Sequence, residues 1–305
     1  MAGSDSSLKS PPKSRCDPFV TIARMNWSLI AQVHAMRLII VLLAGIMLSA
    51  SLTGCSGPTN HSWLSLDPNN WANRSLVDEP VFLDVIGPVA VDVESFGGDV
   101  VIRTTTEHNQ AKVTVMREGV HGYGRKSEVE SSLEHINYTT QIVAGELGQV
   151  LQVRTTTTDP EPHFQRAHVF IELPEIDGVT VRTNNGRVWA RGVRGKIDIT
   201  TNEDDVRVMT NQPLNRPITI VNRNGEIDLR MRAESQGRID AQTVNGRAHG
   251  FARYGRLIID PKTSHDAFHA TLNDGRNVIA LRTVNANVEV AVVENPESVD
   301  VHPFP

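Results

Sequence analysis

A repeat of about 20 residues in the carboxyl-terminal half of the chain constrains its fold more than any other feature. Between residues 177 and 293, short segments alternate apolar and polar residues and restart every nine to twelve residues. This pattern is typical of short strands separated by tight turns. Every second turn has a similar sequence, and these turns begin at Thr183, Thr201, Val221, Thr243, Thr263 and Thr283, which are 18, 20, 22, 20 and 20 residues apart. Two strands in a 20-residue period predict a β-solenoid.

The solenoid hypothesis makes specific predictions about residues 177–293. About six coils should stack so that the six similar turns form one column, with asparagine above asparagine in a side-chain ladder. Asn and Gly recur in these turns because the backbone there needs φ angles near or above zero. A meandering antiparallel sandwich is the alternative, but it does not explain why alternate turns match. The expected buried residues are Ile197, Val206, Ile227 and Ile239, and the expected outward residues are Arg187, Arg207 and Arg247.

The sequence of the segment before the repeat is less regular, but it also predicts mainly β-strands. Strand patterns occur at residues 89–93, 99–103, 111–115, 150–153 and 168–172. One helix is predicted, with Ser127 and Glu130 as a capping box and a helical run to Ile136. The predicted fold class is therefore all-β, a β-solenoid with an amino-terminal β region that contains one short helix. The predicted domain covers residues 81–295 and consists of an irregular first part (81–176) and regular coils (177–293). A tail at 296–305 follows it.

The amino-terminal region indicates export and lipid attachment. Residues 38–48 form an uncharged apolar run that suits the h-region of a signal peptide. The following residues, Leu52, Thr53, Gly54 and Cys55, resemble a bacterial lipobox, which implies that Cys55 is lipidated and becomes the mature amino terminus. We therefore expect an extension at 1–35, a signal peptide at 36–54 and a spacer at 55–80. A membrane-anchor helix is the alternative, since either arrangement tethers the chain.

Charge and cysteine content exclude several classes of protein. The 305-residue chain has a net charge of -5 and two cysteines. Residues 1–54 hold five of its 30 basic and two of its 35 acidic residues, so the remainder carries -8. An acidic balance argues against a nucleic-acid partner and against electrostatic attachment to anionic lipid, which leaves the lipid on Cys55 as the membrane contact. Two cysteines exclude a disulfide-rich scaffold and a four-thiolate zinc site. No nucleotide-binding loop is present, and no cofactor is predicted.

The chain resembles a family of bacterial adhesin-like proteins. The resemblance rests on the end of a strand at Ile171-Glu-Leu-Pro174 and on the segment Val179-Thr-Val-Arg-Thr-Asn-Asn-Gly-Arg-Val188. It also rests on similar segments later in the chain. Together these are similar to the putative-adhesin family, whose members include auto-transporter adhesin head-like domains of unknown function. The resemblance spans roughly residues 81–293. It implies a β-solenoid displayed on the cell envelope, and it carries no catalytic signature.

Three groups of residues could form a site. Arg187, Trp189 and Arg247 are predicted to project outward and are the candidate ligand surface, because arginine suits carboxylates and acidic sugars. The cluster from His265 to His269 could bind a metal, but its first residues occupy turn positions and no third ligand is evident. Residues 203–205 are acidic and read as a solvated turn rather than a calcium site. We therefore predict no metal site and no catalytic residues.

Three functions remain open, and one of them, a periplasmic sensor that regulates an envelope response, is neither favoured nor excluded by the sequence. A lipid-anchored, non-enzymatic solenoid in envelope structure or adhesion fits the anchor, the repeat and the absence of catalytic motifs. A carbohydrate-active enzyme, such as a polysaccharide lyase or hydrolase, is the alternative, because parallel β-helices also host such enzymes. Those enzymes use paired carboxylates, or calcium with a basic residue, and usually carry long loops over one face, whereas the turns here are short and the acidic residues are scattered. The ligand would be a glycan or a protein, and the chain would face the periplasm or the cell surface.

Overall fold

The computed structural model describes residues 71–298, apart from Leu147 and Asp274. The predicted extension, signal peptide, lipobox and Cys55 therefore lie outside the described residues, as does most of the predicted spacer. The first described strand begins at Trp71, inside the segment expected to be a spacer. The ordered β structure thus starts ten residues before the predicted boundary at residue 81.

Twenty strands, numbered in chain order, form two sheets of ten strands each within the described residues. From edge to edge, sheet A contains β1 (Trp71–Val77), β5 (Ala111–Tyr123), β8 (Gln165–Leu173), β4 (Val100–Thr104), β10 (Val188–Arg191), β12 (Val206–Met209), β14 (Ile227–Met231), β20 (Val288–Val292) and β16 (Ala248–Ala252), with β2 (Val81–Leu83) also paired to β5. Sheet B contains β17 (Leu257–Ile259), β18 (Ala267–Leu272), β15 (Gly237–Gln242), β19 (Val278–Arg282), β13 (Ile218–Val221), β11 (Val193–Thr200), β9 (Ile176–Thr183), β3 (Val89–Ser95), β7 (Gly148–Thr157) and β6 (Ile136–Gly145).

The centre of the molecule is a stack of seven two-strand coils. Each coil contributes one strand to sheet B and the next strand to sheet A, and neighbouring coils pair in parallel. Alternating apolar side chains from both sheets point between the sheets, where they form one continuous core. Ile197, Val206, Ile227 and Ile239 are all buried in this core, as predicted. The predicted all-β, β-solenoid-like fold is confirmed.

The order of the coils in space differs from their order in the chain. The coil formed by β19 and β20 lies between the β13–β14 coil and the β15–β16 coil, so Ile279 pairs with both Ile218 and Ile239. At the other end, the β3–β4 coil lies between the β7–β8 and β9–β10 coils. Prediction from the repeat alone assumed that consecutive coils are neighbours, and this assumption is wrong at both ends.

The fifth predicted turn, at Thr263, does not belong to a coil. It connects β17 and β18, which form an antiparallel hairpin on the edge of sheet B. The turn is closed locally, with the Ser264 amide donating to the Ala267 carbonyl at 2.8 Å. Residues 177–293 therefore contain five coils and one hairpin rather than six coils. The hairpin places Leu257 and Phe268 against the core, and so it covers the end of the stack.

The predicted column of turns is present, but one of its residues differs from the prediction. Buried polar side chains occupy its equivalent positions in spatial order, namely Ser95, Thr183, Thr201, Asn222, Thr283 and Thr243. Asn222 replaces Val221, because Val221 is the last strand residue and pairs with Thr200. The hydroxyls donate to turn carbonyls, as when Thr201 Oγ1 bonds Glu203 O at 3.1 Å. The column thus satisfies buried polar groups along one edge of the stack.

The predicted asparagine ladder is confirmed in two segments. Asn202 donates to Asn184 at 3.4 Å, and Asn245 donates to Asn285 at 2.8 Å, which in turn donates to Asn224 at 2.6 Å. These exposed amides stack because their coils are one strand spacing apart.

The predicted cause is confirmed for one of three recurrent turn glycines, Gly186, and is wrong for Gly225 and Gly246. Gly186 has a φ of 111°, which an L-residue rarely adopts. Gly225 and Gly246 do not have positive φ angles. A Cβ at Gly225 would instead collide with the carbonyl oxygen of Asp204, and one at Gly246 with that of Ala286. Glycine is required at these two positions because stacked coils bring backbone against backbone.

The single α-helix of the described chain, α1 (Lys126–Leu133), is shifted from its prediction. Arg125 is its N-cap, no side chain caps it, and the predicted capping box of Ser127 and Glu130 does not form. Arg125 bonds Glu128 in the first turn instead, at 2.7 Å. The helix ends early because Ile136, predicted to be helical, begins strand β6 and packs in a small cluster with Leu133.

Candidate functional site

A polar cleft lies on the edge of the stack opposite the threonine column. Strands of sheet A end there and strands of sheet B begin, so the connections after β4, β8 and β10 converge. The cleft has a volume of about 510 Å³ and is polar. Its walls carry three arginines, three glutamates and a run of hydroxyls, namely Arg103, Arg191, Arg194, Glu107, Glu175, Glu297, Thr104, Thr105 and Thr106, with Gln212.

Two of the cleft arginines are held by cleft glutamates. Arg191 Nε lies 3.1 Å from Glu297 Oε2, and the other Glu297 oxygen accepts the Asn211 backbone amide at 2.6 Å. Arg194 bonds Glu175 at 2.5 Å. A single carboxylate engages only part of a guanidinium, which has five N–H donors, so each arginine can also bond a ligand. The equal numbers of acids and bases make the cleft polar without a strong net charge.

The third arginine is fixed by a buried carboxylate on the outer face of sheet A. Glu172 is only 2% exposed, and it bonds both Arg103 Nε at 2.9 Å and Lys112 Nζ at 2.7 Å. Burial alone would raise the pKa of Glu172, but its hydrogen bonds with Lys112 and Arg103 outweigh this effect and lower the pKa below its usual value. Because Glu172 stays ionised, Arg103 is held in a defined orientation at the cleft wall.

An aromatic side chain lies next to the cleft. Trp189 lines a small hollow of about 20 Å³ together with Val101, Met209 and the two cleft arginines Arg103 and Arg191. The Arg207 guanidinium lies 5.3 Å from the Trp189 ring centroid, within cation–π range. The hollow and the cleft share two arginines, so a ligand in the cleft could also contact the indole ring.

The structure brings only part of the predicted ligand surface together. Arg187 lies in the turn before β10, near Trp189, and its amide donates to Asp99 at 2.9 Å. Arg247 precedes β16, and its amide donates to Asn287 at 2.9 Å. Three strands separate β10 from β16 in sheet A, so Arg247 is about 19 Å away at a strand spacing of about 4.8 Å. Arg247 is therefore remote from both Trp189 and the cleft.

A second polar cluster surrounds His168 near a cavity of about 240 Å³. Its Nε2 lies 3.2 Å from Glu118, and its Nδ1 lies 3.5 Å from an Asp99 carboxylate oxygen. Burial lowers the pKa of His168, but hydrogen bonds and charge interactions with Asp99 and Glu118 outweigh burial and raise it to about 9. The His168 bond likewise lowers the pKa of Glu118. Burial would raise the pKa of Asp99, yet His168 and the Arg187 amide lower it.

The two metal-like groups of the sequence have structural contacts. In the acidic turn, Asp204 accepts the Gly186 amide at 3.2 Å, and Asp205 accepts the Glu226 amide at 2.9 Å. Each carboxylate thus bonds the turn of a neighbouring coil. His265 lies in the hairpin turn, whereas His269 on β18 lies 3.3 Å from Asp240 on β15. Among the described residues, no three His, Cys, Asp or Glu side chains converge to hold a metal ion.

A family model matches most of the solenoid. The model is described as Toastrack DUF4097, and it aligns with residues 91–291. The chain belongs to the Toastrack DUF4097 family. The match covers all seven coils of the stack apart from the ends of β3 and β20, so the Toastrack domain and the solenoid are the same unit.

One solved structure supports the fold of the Toastrack domain. A protein from Clostridium sporogenes, described as a "putative cell adhesion protein", is 10% identical with a TM-score of 0.50, and the alignment covers 72% of this chain and all of that one. This likeness shows a shared fold. A "putative adhesin" from Bacteroides fragilis also matches, with 9% identity, a TM-score of 0.24 and coverage of 71% and 97%. No curated protein matches the sequence. No helix in the described part of the chain is long and apolar enough to cross a membrane.

Sequence reasoning missed most of the cleft of this Toastrack domain. It identified Trp189 but not Arg103, Arg191 or Arg194. One signal was available, since Arg103 is followed directly by three threonines at the end of a predicted strand. The convergence of this run with Arg191 depends on the coil order, which the repeat does not reveal.

Proposed function

We propose that this Toastrack protein is a lipid-anchored, non-enzymatic binding protein of the bacterial cell envelope, and that its cleft binds a hydroxyl-rich glycan. The cleft beside Trp189 is the observation that carries this proposal. Paired arginines and glutamates supply donors and acceptors in close alternation, which suits the hydroxyl groups of a sugar. The indole ring adds an apolar face against which a sugar ring could pack.

The balance of charge in the cleft favours a neutral glycan over a strongly acidic one. Glu297 already supplies a carboxylate to Arg191, and Glu175 supplies one to Arg194. An acidic sugar would have to displace these internal carboxylates, whereas a neutral sugar could bond the remaining N–H groups of both arginines. The arrangement also disfavours hydrolysis, because these two carboxylates are held by arginines rather than left free to act as an acid and a base.

The anchor rests on the sequence alone. The apolar run at 38–48 and the lipobox-like residues 52–55 support attachment through Cys55. We propose that the Toastrack domain is held at the membrane by this lipid and faces the periplasm or the cell surface. Ser56 follows the cysteine, which by resemblance to sorted lipoproteins favours the outer membrane in a two-membrane cell.

Binding and catalysis can be separated by one pair of experiments. The chain from residue 56 is screened on a glycan array, and each bound glycan is then incubated with the protein and assayed for released reducing ends and unsaturated uronic acids. We expect binding without release. Arg191→Ala should weaken binding about tenfold or more, since it removes a cleft donor, whereas the remote control Arg247→Ala should leave binding unchanged.

Two results would contradict the proposal. Product release that is lost in Arg191→Ala would favour the carbohydrate-active enzyme instead. Absence of binding to any neutral glycan would remove the proposed ligand class. Circular dichroism of each variant distinguishes lost binding from lost folding.

The anchor is tested independently by Cys55→Ser. The variant should be released from the membrane fraction or remain as the uncleaved precursor, whereas the wild-type chain should begin at a lipid-modified Cys55. Mass spectrometry that finds an unmodified Cys55 within an intact wild-type chain would refute lipidation.

A further inference from the structure

Among the described strands, β17 ends sheet B with one edge unpaired, and this edge is unusually apolar for an exposed edge. Its residues are Leu257, Ile258 and Ile259, of which Ile258 is 47% and Ile259 54% exposed. Edge strands normally carry charges or proline within the strand to prevent pairing with another chain. We propose that this edge pairs with the same edge of a second copy of the chain, antiparallel and with the twofold axis at Ile258.

The backbone of β17 is suited to this pairing. The Asp260 amide donates to His269 at 2.8 Å, and the Arg256 carbonyl accepts the Asn273 amide at 2.9 Å. Residues 256 and 260 therefore direct their polar groups toward β18. Because the direction alternates along an antiparallel strand, the N–H and C=O groups of Leu257 and Ile259 point to the free edge. With the axis at Ile258, Leu257 lies opposite Ile259 of the second copy, and each such pair exchanges two hydrogen bonds.

The charges that flank the strand select the same register. Arg256 and Asp260 are exposed, and neither forms an ion pair within the described chain. With the axis at Ile258, each arginine lies opposite the aspartate of the second copy, so the pair is closed by two complementary contacts. These side chains share one face with Ile258, which packs against its symmetry mate.

Neighbouring registers are less favourable. Moving the axis to Ile259 would place Arg256 opposite Lys262, a repulsive contact, and would set Leu257 opposite Pro261, which has no N–H to donate. Moving it to Leu257 would leave Arg256 opposite Ile258. A register that is shifted by one residue would place the outward-directed backbone groups of one strand opposite residues of the other strand whose groups point toward β18. Only the axis at Ile258 satisfies both the hydrogen bonds and the charges, and this self-complementarity identifies a second copy as the partner.

The interface is small, so the dimer should be weak in solution. Two exposed aromatic residues precede this strand in the chain: Phe251 lies on β16, and Tyr254 lies in the connection from β16 to β17. A closed twofold pair uses the edge of both copies and leaves none for further growth, unlike a head-to-tail contact. The expected assembly is therefore a dimer and not a filament.

Cysteine cross-linking in the membranes of expressing cells tests the contact in the full-length protein. In the proposed register, Ile258 forms a non-hydrogen-bonded pair with its symmetry mate, with Cα atoms about 4.5 Å apart, which is within disulfide range. Ile258→Cys should give a dimer band under mild oxidation that is several-fold stronger than that of Val278→Cys. Val278 is the matched control, because it is similarly exposed on sheet B but lies away from the edge.

Charge exchange then tests the register. In the Ile258→Cys background, Arg256→Asp alone and Asp260→Arg alone should each reduce the cross-linked fraction several-fold, since each sets like charges together. The double exchange should restore it. Because Asp260 also accepts the Lys262 amide at 2.9 Å, circular dichroism of each variant confirms that the hairpin persists.

The proposal is overturned by any of three results. Equal cross-linking of Ile258→Cys and Val278→Cys would remove the contact. Loss in both single variants without recovery in the double exchange would reject the register. A ladder of higher oligomers, or a cross-link to a different protein, would reject the closed pair of identical chains.

Discussion

The His168 cluster should make the stability of this protein fall as pH rises through the neutral range. The pKa of His168 is raised from 6.5 to about 9 in the folded chain. Below pH 6.5 the ring is protonated in both states, so the stabilisation by Asp99 and Glu118 is complete. Between pH 6.5 and 9 the unfolded chain loses the proton while the folded chain keeps it, so stability declines with rising pH.

The size of this decline follows from the shift and the local geometry. At about 1.4 kcal/mol per pKa unit, the shift corresponds to about 3 kcal/mol. Protonation has a cost, because the Asp99 amide, 3.1 Å from Nδ1, can donate only to the neutral ring. A lost hydrogen bond is worth about 1 kcal/mol. We therefore expect the free energy of unfolding to fall by about 2 to 3 kcal/mol between pH 6 and pH 10.

The assay is urea unfolding of the wild-type chain and of His168→Gln, each measured across this pH range. The quantity of interest is the difference between the two curves, because it removes the titration of every other group. The difference should be largest near pH 6 and nearly vanish by pH 10. His265→Gln, in the exposed hairpin turn, is the matched control and should follow the wild type throughout. A difference between wild type and His168→Gln that does not change with pH would refute the argument.

Two further predictions concern packing within the stack. Ile227→Asp should lower the free energy of unfolding in urea by about 3 to 5 kcal/mol, because Ile227 is fully buried and the carboxylate would lose water without gaining a partner. The control Arg247→Ala should change this free energy by less than about 0.5 kcal/mol. Similar values for the two variants would contradict the assigned core. Gly225→Ala should destabilise by more than about 2 kcal/mol, because its Cβ meets the Asp204 carbonyl, whereas Gly97→Ala, whose Cβ meets nothing closer than 4.0 Å, should be nearly neutral in thermal unfolding.

The repeat predicted the individual strands well because each strand buries alternate residues of its own sequence. Ile197 and Ile199 face the core because apolar and polar residues alternate within this short segment. Each of the alternating segments of the repeat forms one of the twelve strands β9 to β20. The neighbours of a coil are less accessible to this reasoning. Ile279 pairs with Ile218 and Ile239, although any coil offers a similar row of apolar residues and backbone groups. The periodicity therefore determines the coil and not the position of the coil in the stack.

The turn at Thr263 shows how a repeat motif can mislead. Its sequence resembles the column turns, and its spacing of 20 residues fits the period. However, the strand before it, β17, has only three residues, and the strand after it pairs antiparallel with β15. The hydroxyl of Thr263 bonds His269 O at 3.0 Å inside the hairpin, instead of a neighbouring coil. A threonine turn is thus compatible with either geometry, and the strand pairing decides between them.

The candidate site was harder to predict than the fold because it depends on long-range order. The cleft needs the ends of β4 and β10 side by side, and these two strands pair directly because the β3–β4 coil lies inside the stack. If the coils had stacked in chain order, β8 would lie between β4 and β10 in sheet A. Arg103 and Arg191 would then be separated by an additional strand, instead of occupying paired positions. Sequence reasoning found Trp189 because a single residue on a strand needs no such information.

The inserted position of the β19–β20 coil also joins the β15–β16 coil to the rest of the stack. In a solenoid wound in chain order, the last coil has one neighbour, and its loss removes a single interface. Here the last coil of the chain supplies the partner for Ile218 on one side and for Ile239 on the other. The β15–β16 coil and the hairpin that covers it therefore cannot join the rest of the core until residues 278–292 are in place. The end of the chain completes the interior of the stack rather than extending it, so the folding of this half is cooperative although its sequence is repetitive.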